Sequence, residues 1–432
     1  MRAEAPFDKT GLEKISQQEL DGIIKKHKTF LKGIRGGARC VLQYKDLSGL
    51  DFRKSDLSQA DFTGSVMREA RLQGGTYIGV SFFACDLNNA NFENANLARA
   101  DFRGAYVAGA NLTGANLHSA DLREGKIMQR GYRGILEDKP FPGRTGALQK
   151  TIFRGAKLNE TDLSGSRAMT ADFSDADLTG VTLKNANLSG ANMEGANLSH
   201  ADFTGSDVTH ANFKASIMTS AIMEMTETAG ANLDDAITEE TLGPRLENPE
   251  QTLPDMLEAH TAWIATAGEN GTRLDLSGYD LRDVEKLRDY PLTAIKARGA
   301  NFLGQNMEGI EMQSALLDEA DLRDGRLGYS DIRGSSLKNA LLTRADLTGA
   351  NMAPLLFSNH DGTERLQKMD LSGANLRYAV LSGAILHDAI LRDADLSYAI
   401  LTNADLRRAD LRGAKLTGAD IEGTMMNDAI RD

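Results

Sequence analysis

The chain is poor in the residues from which disulfide scaffolds and large aromatic cores are built. Its 432 residues include two cysteines, one tryptophan and eight prolines, and aromatic residues make up 6% of the total. A small secreted scaffold would need many more cysteines, so we expect a reducing compartment, the cytoplasm. Residues 1–8 hold no apolar core of signal-peptide length, and no run approaches the roughly 18 apolar residues of a membrane helix, so we expect no membrane partner.

Sequence motifs for chemistry are missing as well. There is no Cys-x-x-Cys pair, no Gly-x-Ser-x-Gly turn and no glycine-rich loop that could hold a phosphate. Asp and Asn recur at one fixed spacing along the chain, which indicates a repeated polar wall and not a pair of catalytic carboxylates. We therefore predict that the chain is not an enzyme and that it holds no cofactor and no metal.

What the chain has in abundance is a five-residue period. Every fifth residue from Leu47 to Ile127 is a large side chain, usually Leu, Phe or Met, and the residue two positions earlier is usually Ala, Ser or Gly. A typical unit reads Ala-Asn-Leu-x-x, as at residues 95–99. A period of five fits neither a helix nor a strand and indicates a repeat architecture. The same period continues in three later runs, residues 153–233, 302–357 and 371–426.

A five-residue unit can form one side of a square coil. Four units then close one full coil, in which the large residue points inward and the small residue fits near a corner. The remaining positions face water, and stacked coils would pair their backbones at about 4.8 Å. Each buried Leu or Phe contributes roughly 1.5–3 kcal/mol. In this geometry His200 and His210 lie half a coil apart, on opposite faces, so they cannot share a metal.

This pattern resembles the pentapeptide-repeat proteins. The resemblance covers roughly 300 residues and implies an all-β solenoid, a right-handed quadrilateral β-helix. Ala168 and Thr228 stand at central positions where the pattern has a large side chain, which predicts weaker packing at those two places.

Two stretches outside the period have helical spacing. Ser16 and Glu19 have the spacing of a capping box ahead of the first stretch. Asn248 followed by Pro249 is the predicted start of the second. Because an open solenoid end exposes apolar side chains and unpaired backbone, we expect each helix to cap the array that follows it.

The two helical stretches match each other in sequence. His27 aligns with His260 and Phe30 aligns with Trp263. We expect Phe30 and Trp263 to cover the first coil of each array, and the two histidines to be hydrogen-bonded residues of the caps. The chain is thus a tandem duplication of helix plus array.

The predicted domains follow from this duplication and from two interruptions of the period. The interruptions are predicted loops extruded from the walls, and residues 282–297 are a predicted irregular transition after the second cap. The boundaries are a cap at 1–45, a β-helix at 46–240 with an insertion at 128–150, a cap and linker at 241–275, and a β-helix at 276–432 with an insertion at 358–368.

Binding is the predicted function, because a rigid solenoid offers an extended surface to other proteins. The first insertion combines aromatic and basic residues, and we predict that it contacts a protein partner, of unknown identity, through Tyr132, Arg133, Phe141 and Arg144. We do not expect DNA binding, because basic and aromatic residues are not interleaved outside this insertion.

The resemblance leaves a second interpretation open. Some pentapeptide-repeat proteins resemble DNA in shape and charge and bind type II topoisomerases, so the alternative is a DNA mimic that binds gyrase and modulates or protects it. The net charge of −12 permits this, but residues 1–150 carry 23 Lys and Arg against 17 Asp and Glu. Since the acidic excess lies only after residue 150, a protein-binding scaffold is the preferred interpretation.

The last coil has no evident cap. Met425, Met426 and Ile430 would expose an apolar surface there. Members of the family often pair through that end, so we predict a homodimer through the C-terminal coil.

Overall fold

The structure, a computed structural model, describes residues 12–123, 127–130, 136–139, 151–238, 243–245, 252–284, 287–358 and 364–432. It divides into two compact units, Met1–Thr241 and Leu242–Asp432. The named elements in chain order are β1 (Glu13–Lys14), α1 (Gln17–Leu31), β2 (Lys45–Asp46), β3 (Ile127–Arg130), β4 (Leu136–Lys139), α2 (Leu253–Ala265), a 3-10 helix (Leu287–Asp289), β5 (Leu355–Ser358) and β6 (Glu364–Gln367).

Both units are built from parallel bridges between residues 20 apart. Asp61 bridges Ser81, Ser81 bridges Asp101, and Asp101 bridges Asp121. Each coil therefore takes four five-residue units, as the sequence predicts. A wall segment pairs through a single residue before the chain turns, which is why the arrays consist of isolated bridges and not of long strands.

The turns explain why Asp or Asn precedes many of the buried centres. The side-chain oxygen of Asn91 accepts a hydrogen bond from the backbone N–H of Glu93 at 3.0 Å, and Asp207 accepts from Thr209 at 2.9 Å. Such a bond closes the turn locally. The last residue of each unit is left-handed, as Asn94 is with φ of 55°, and glycine often occupies that position because it has no Cβ to clash.

The core is a column of the predicted inward residues. Leu188 is fully buried. On one wall the rings of Phe62, Phe82 and Phe102 stack at centroid distances of 5.6 and 4.9 Å. The small position is buried as well: Cys85 Sγ lies 2.9 Å from the backbone oxygen of Phe62 and donates to it. The inward assignment of both positions is confirmed through most of each array, but on the last described coil of each unit the predicted centres Leu233 and Ile421 are 50% exposed.

The first insertion leaves the stack intact on either side. Asn111 bridges Ile152, so the chain between them is just over twice as long as between other bridged residues. Part of this added length is a hairpin in which β3 and β4 pair antiparallel. Ile127, which the period predicts as the last centre of its run, is the first residue of this hairpin.

The second insertion has the same design. Ser336 bridges Asp370, again over a longer stretch of chain than elsewhere in the array, and β5 and β6 pair antiparallel within that stretch. Phe357 was predicted as an inward centre, and this prediction is wrong: Phe357 lies on β5 and is 39% exposed. The hairpin begins at Leu355, where strand pairing replaces the five-residue turn.

The irregular stretch in unit 2 is a short 3-10 helix, Leu287–Asp289. Asp275 bridges Lys296, so this coil is longer than the regular coils by a single residue. The five-residue period resumes beyond the helix, where Leu292 and Ala297 are buried.

The two helices begin with capping boxes. Ser16 and Glu19 form the predicted box of α1. The predicted start of α2 at Asn248 is wrong, because the N-cap is Thr252 and Asp255 completes its box. Pro254 lies in the first turn, where a missing N–H breaks no helical bond.

Leucine side chains, not aromatic rings, attach the helices to the cores. Leu20 of α1 is fully buried and Leu257 of α2 is 3% exposed. The predicted covering role of Phe30 is wrong: its side chain is 37% exposed and stacks on His27 with a centroid distance of 5.7 Å. Trp263 is half-buried and stacks on His260 at the same distance.

Candidate interaction surfaces

A buried histidine ties each helix to its array. His27 Nδ1 accepts a hydrogen bond from the Cys40 N–H at 2.9 Å, so the ring proton sits on Nε2, which lies 3.0 Å from the Ser58 oxygen and donates to it. Burial lowers the pKa of His27; the hydrogen bond to the Ser58 oxygen and the carboxylate of Asp56 raise it by less, and Arg39 adds a small lowering effect. The imidazole is thus a neutral clamp between two backbone groups.

Unit 2 repeats this clamp. His260 Nδ1 accepts from the Leu274 N–H at 3.1 Å, and its Nε2 lies 3.1 Å from the Thr293 oxygen. Burial again lowers the pKa of the ring. The predicted hydrogen-bonded role of both histidines is confirmed, and both ring nitrogens are used. Within the described residues no group of three or more His, Cys, Asp or Glu side chains could hold a metal ion.

Many of the acidic residues of the walls are paired with arginine. In several units the Arg two positions after an Asp folds back on it, as Arg103 does on Asp101 at 2.7 Å. Other arginines bridge neighbouring coils, as Arg392 bridges Asp410 at 2.6 Å. The Arg53 guanidinium lowers the pKa of Asp51 to about 2. These walls present paired charges, not a bare ladder of carboxylates.

Exposed acidic side chains are concentrated at the end of unit 1. Glu224, Glu227, Asp234 and Asp235 all lie exposed on its last coil. Apolar side chains are exposed beside them, with Met225 79% exposed. This end combines negative charge with an apolar surface.

The last coil of unit 2 is also apolar on its outside. Met425 is 43% exposed and Ile430 48%, whereas Met426 is partly buried against the core. The predicted surface is therefore present in part, and pairing through it stays a prediction.

The predicted contact residues of the first insertion lie outside the described residues. Tyr132, Arg133, Phe141 and Arg144 all fall there. The backbone of the hairpin beside them is described: Ile127 pairs with Lys139 and Arg130 with Leu136.

A positively charged groove lies between α1 and the wall of the first coils. Its volume is about 740 Å³. The basic residues come from two distant parts of the chain, so the sequence period could not bring them together. Lys25 and Lys28 belong to α1, and the array supplies Arg53, Lys54 and Arg71.

Acidic residues in the same groove are already engaged. Asp51 is shared by Arg53 at 2.6 Å and Arg71 at 3.3 Å. Asp21 accepts a hydrogen bond from Gln17 at 2.8 Å. Gln17 also donates to the backbone oxygen of Asp51 and accepts from its N–H, which holds α1 against the wall.

The two cysteines are free thiols, and both are buried. Burial raises the pKa of Cys40 and of Cys85 to about 12, so neither is a reactive thiolate. No helix among the described residues has the length and apolar character to cross a membrane.

The repeats in this chain match the family described as pentapeptide repeats. The family model counts eight copies, and the matched segments include residues 40–75, 85–124, 148–185, 183–219, 326–353, 365–393 and 389–428. The matched segments cover more than half of the chain, and the chain belongs to this family.

Among solved structures, three similar proteins illustrate the range of the family. HetL of the cyanobacterium Nostoc sp. strain PCC 7120, involved in heterocyst differentiation regulation, is 20% identical over 92% of each chain, with a TM-score of 0.18. QnrB1, a plasmid-mediated fluoroquinolone resistance protein, is 15% identical over 44% of this chain and 91% of its own, with a TM-score of 0.26.

A thylakoid-lumen pentapeptide-repeat protein of Arabidopsis thaliana is 31% identical over 31% of this chain and 67% of its own, with a TM-score of 0.15. No curated protein matches the chain.

Proposed function

We propose that the chain is a non-enzymatic protein-binding or scaffolding solenoid of two tandem right-handed quadrilateral β-helices, each with an N-terminal helical cap. The parallel bridges between residues 20 apart support the coil geometry. The histidine clamps support the caps. The proposed domains are residues 1–45, 46–240, 241–275 and 276–432, and the proposed compartment is the cytoplasm.

The observation that carries this function is the way the hairpins are added. The polar residues of the walls close turns and pair with one another, so few of them are left for chemistry. The hairpin of β3 and β4 does not interrupt the pairing of successive coils, because Asn111 and Ile152, which lie on either side of it in sequence, form a bridge. A segment that the fold does not need is suited to partner contact. We propose Tyr132, Arg133, Phe141 and Arg144 as the contact residues.

The experiment that tests this proposal is a deletion that preserves the register. Removing residues 127–147 takes out the added length of the first insertion and joins Lys126 to Leu148, which restores the five-residue period. Removing residues 355–368 takes out the added length of the second insertion and is the matched control. Both variants should melt within a few degrees of the full chain.

Pull-downs from native cell extract would then compare the full chain with the two variants. We expect a protein that the full chain and the variant lacking 355–368 capture, and that the variant lacking 127–147 loses. Equal capture by all three would contradict a binding role of the first insertion.

The second candidate function is DNA mimicry directed at a type II topoisomerase. The exposed acidic residues at the end of unit 1 favour it. The arginine pairing of the walls weighs against it, because a protein that replaces DNA must present unpaired negative charge. Capture of a topoisomerase by all three proteins would favour this candidate.

A homodimer through the C-terminal coil is proposed as well. Met425 and Ile430 would be covered in it, together with part of Met426. Light scattering should give twice the chain mass at micromolar concentration, and a monomeric mass would contradict the dimer.

A further inference from the structure

We infer that the groove between α1 and the first coils binds an acidic peptide segment of a partner protein. The inference rests on the proposed protein-binding function but places a contact on a different surface from the hairpin. Among the residues that the structure describes, five basic and two acidic ones line the groove, a local charge of +3 in a chain whose net charge is −12.

The fold does not use the charges of the three lysines in the groove. Arg53 and Arg71 pair with Asp51, but Lys25, Lys28 and Lys54 form no ion pair with any residue that the structure describes. All three are exposed. Like charges held close together repel, so this arrangement costs stability unless an anion joins it. On the walls, by contrast, arginine is placed next to aspartate.

The duplication within the chain shows that the fold does not require these charges. Aligning His27 with His260 places Glu258 opposite Lys25 and Thr261 opposite Lys28. Aligning the first coils of the two arrays places Asp283 opposite Lys54. In unit 2 a helix also docks on an array, with acidic or neutral residues at these three positions. The positive groove is therefore specific to unit 1 and independent of capping.

The lining and the size of the groove favour a peptide over a nucleic acid as its ligand. Its lining includes the apolar side chain of Ile24, and no aromatic side chain from the described part of the chain lines it. Proteins that bind single-stranded nucleic acid stack bases on aromatic rings and follow the backbone along an extended basic path. A volume of about 740 Å³ fits a few amino-acid side chains, with carboxylates at the lysines and a methylene group on Ile24.

The test is fluorescence anisotropy with a labelled octapeptide of alternating glutamate and glycine. The full-length chain would be compared with the triple variant Lys25→Gln, Lys28→Gln and Lys54→Gln. The matched control is the triple variant Lys26→Gln, Lys157→Gln and Lys214→Gln, which loses the same charge outside the groove. None of the groove lysines supports the fold, so the groove variant should melt at or slightly above the temperature of the parent, because like-charge repulsion is relieved, and the control variant should melt close to the parent.

We expect the groove variant to bind the peptide at least about tenfold more weakly, because it loses three ionic contacts. The control should change less than twofold, and 0.5 M salt should abolish binding. Equal losses in both variants, or no peptide binding at low salt, would overturn the inference. Tighter binding of an eight-nucleotide oligothymidine than of the peptide would overturn it too. The outcome of this binding assay is independent of the pull-down, which tests the proposed function separately.

Discussion

The Asp or Asn that precedes many buried centres is a structural residue, and so is the histidine of each helix. Asn91 closes its turn through the Glu93 N–H, and His27 pairs two backbone groups that would otherwise be buried without partners. In a chain with these residue types at regular spacing, the turn and the clamp account for their presence without any chemistry of catalysis.

The clamp makes the attachment of α1 depend on pH. Because burial lowers the pKa of His27, the unfolded state binds the proton more tightly, and the contribution of the clamp is fully present above the unfolded value of 6.5 and is lost as pH falls below it. Amide hydrogen exchange of Gln17–Leu31 should therefore accelerate between pH 7 and pH 5, after correction for the intrinsic rate.

The variant His27→Asn is the control for this pH dependence. Its side-chain oxygen can accept from the Cys40 N–H, but it does not titrate. The exchange of α1 should be faster at all pH values, because the bond to the Ser58 oxygen is lost, and its dependence on pH should disappear. An unchanged pH dependence in this variant would assign the effect to other groups.

The left-handed residues offer a way to stabilise the chain. Thr170 has φ of 56° and is exposed, a conformation that a β-branched side chain adopts at a cost and that asparagine tolerates. Thr170→Asn should raise the free energy of unfolding by about 0.5–1 kcal/mol, as a shift of the urea midpoint. A decrease would show that the threonine side chain makes a contact that outweighs its backbone strain.

At the scale of the elements, the sequence predicts whatever depends on local spacing. The inward centres, the small positions and the capping box of α1 are all set by residues within five positions of one another. Two of the wrong predictions concern choices made by packing: Phe357 follows the period but joins β5, and Phe30 has the right spacing yet stacks on His27. The third is an exception, because the start of α2 is a local feature that was placed at Asn248 and lies at Thr252. The groove was missed because its lysines meet only when α1 docks on the array.

The inward column can be tested by one substitution with a neighbouring control. Leu188 is fully buried, and Leu188→Asp would place a carboxylate among apolar side chains, at a cost of roughly 3 kcal/mol or more. Neighbouring coils should unfold with it, because each coil is stabilised mainly by those it touches.

Asn187→Asp is the control for this substitution. It adds the same charge one residue earlier, on the wall, where Asn187 already accepts a hydrogen bond from the Ser189 N–H at 3.1 Å. It should change stability by less than about 0.5 kcal/mol. Equal thermal stability of the two variants would contradict the inward assignment of residue 188.

At the scale of the whole molecule, we propose that the arrays act as a framework and that the additions carry recognition. Wall residues are engaged in turns and ion pairs, whereas the first hairpin, the lysine groove and the apolar last coil are features that a plain repeat would not have. Each added feature can be altered without breaking the bridges that join successive coils. The account therefore predicts that function and stability can be separated by mutation.

Hydroxyl-radical footprinting of the full chain with and without its captured partner tests this central claim most directly. The method reports the exposure of individual side chains, and Tyr132, Phe141, Met225 and Met425 are suitable probes along the chain. The account predicts that the partner shields Tyr132 and Phe141 and leaves Met225 as reactive as in the free chain. Shielding spread along the walls and the acidic end of unit 1, with none at Tyr132 and Phe141, would contradict it.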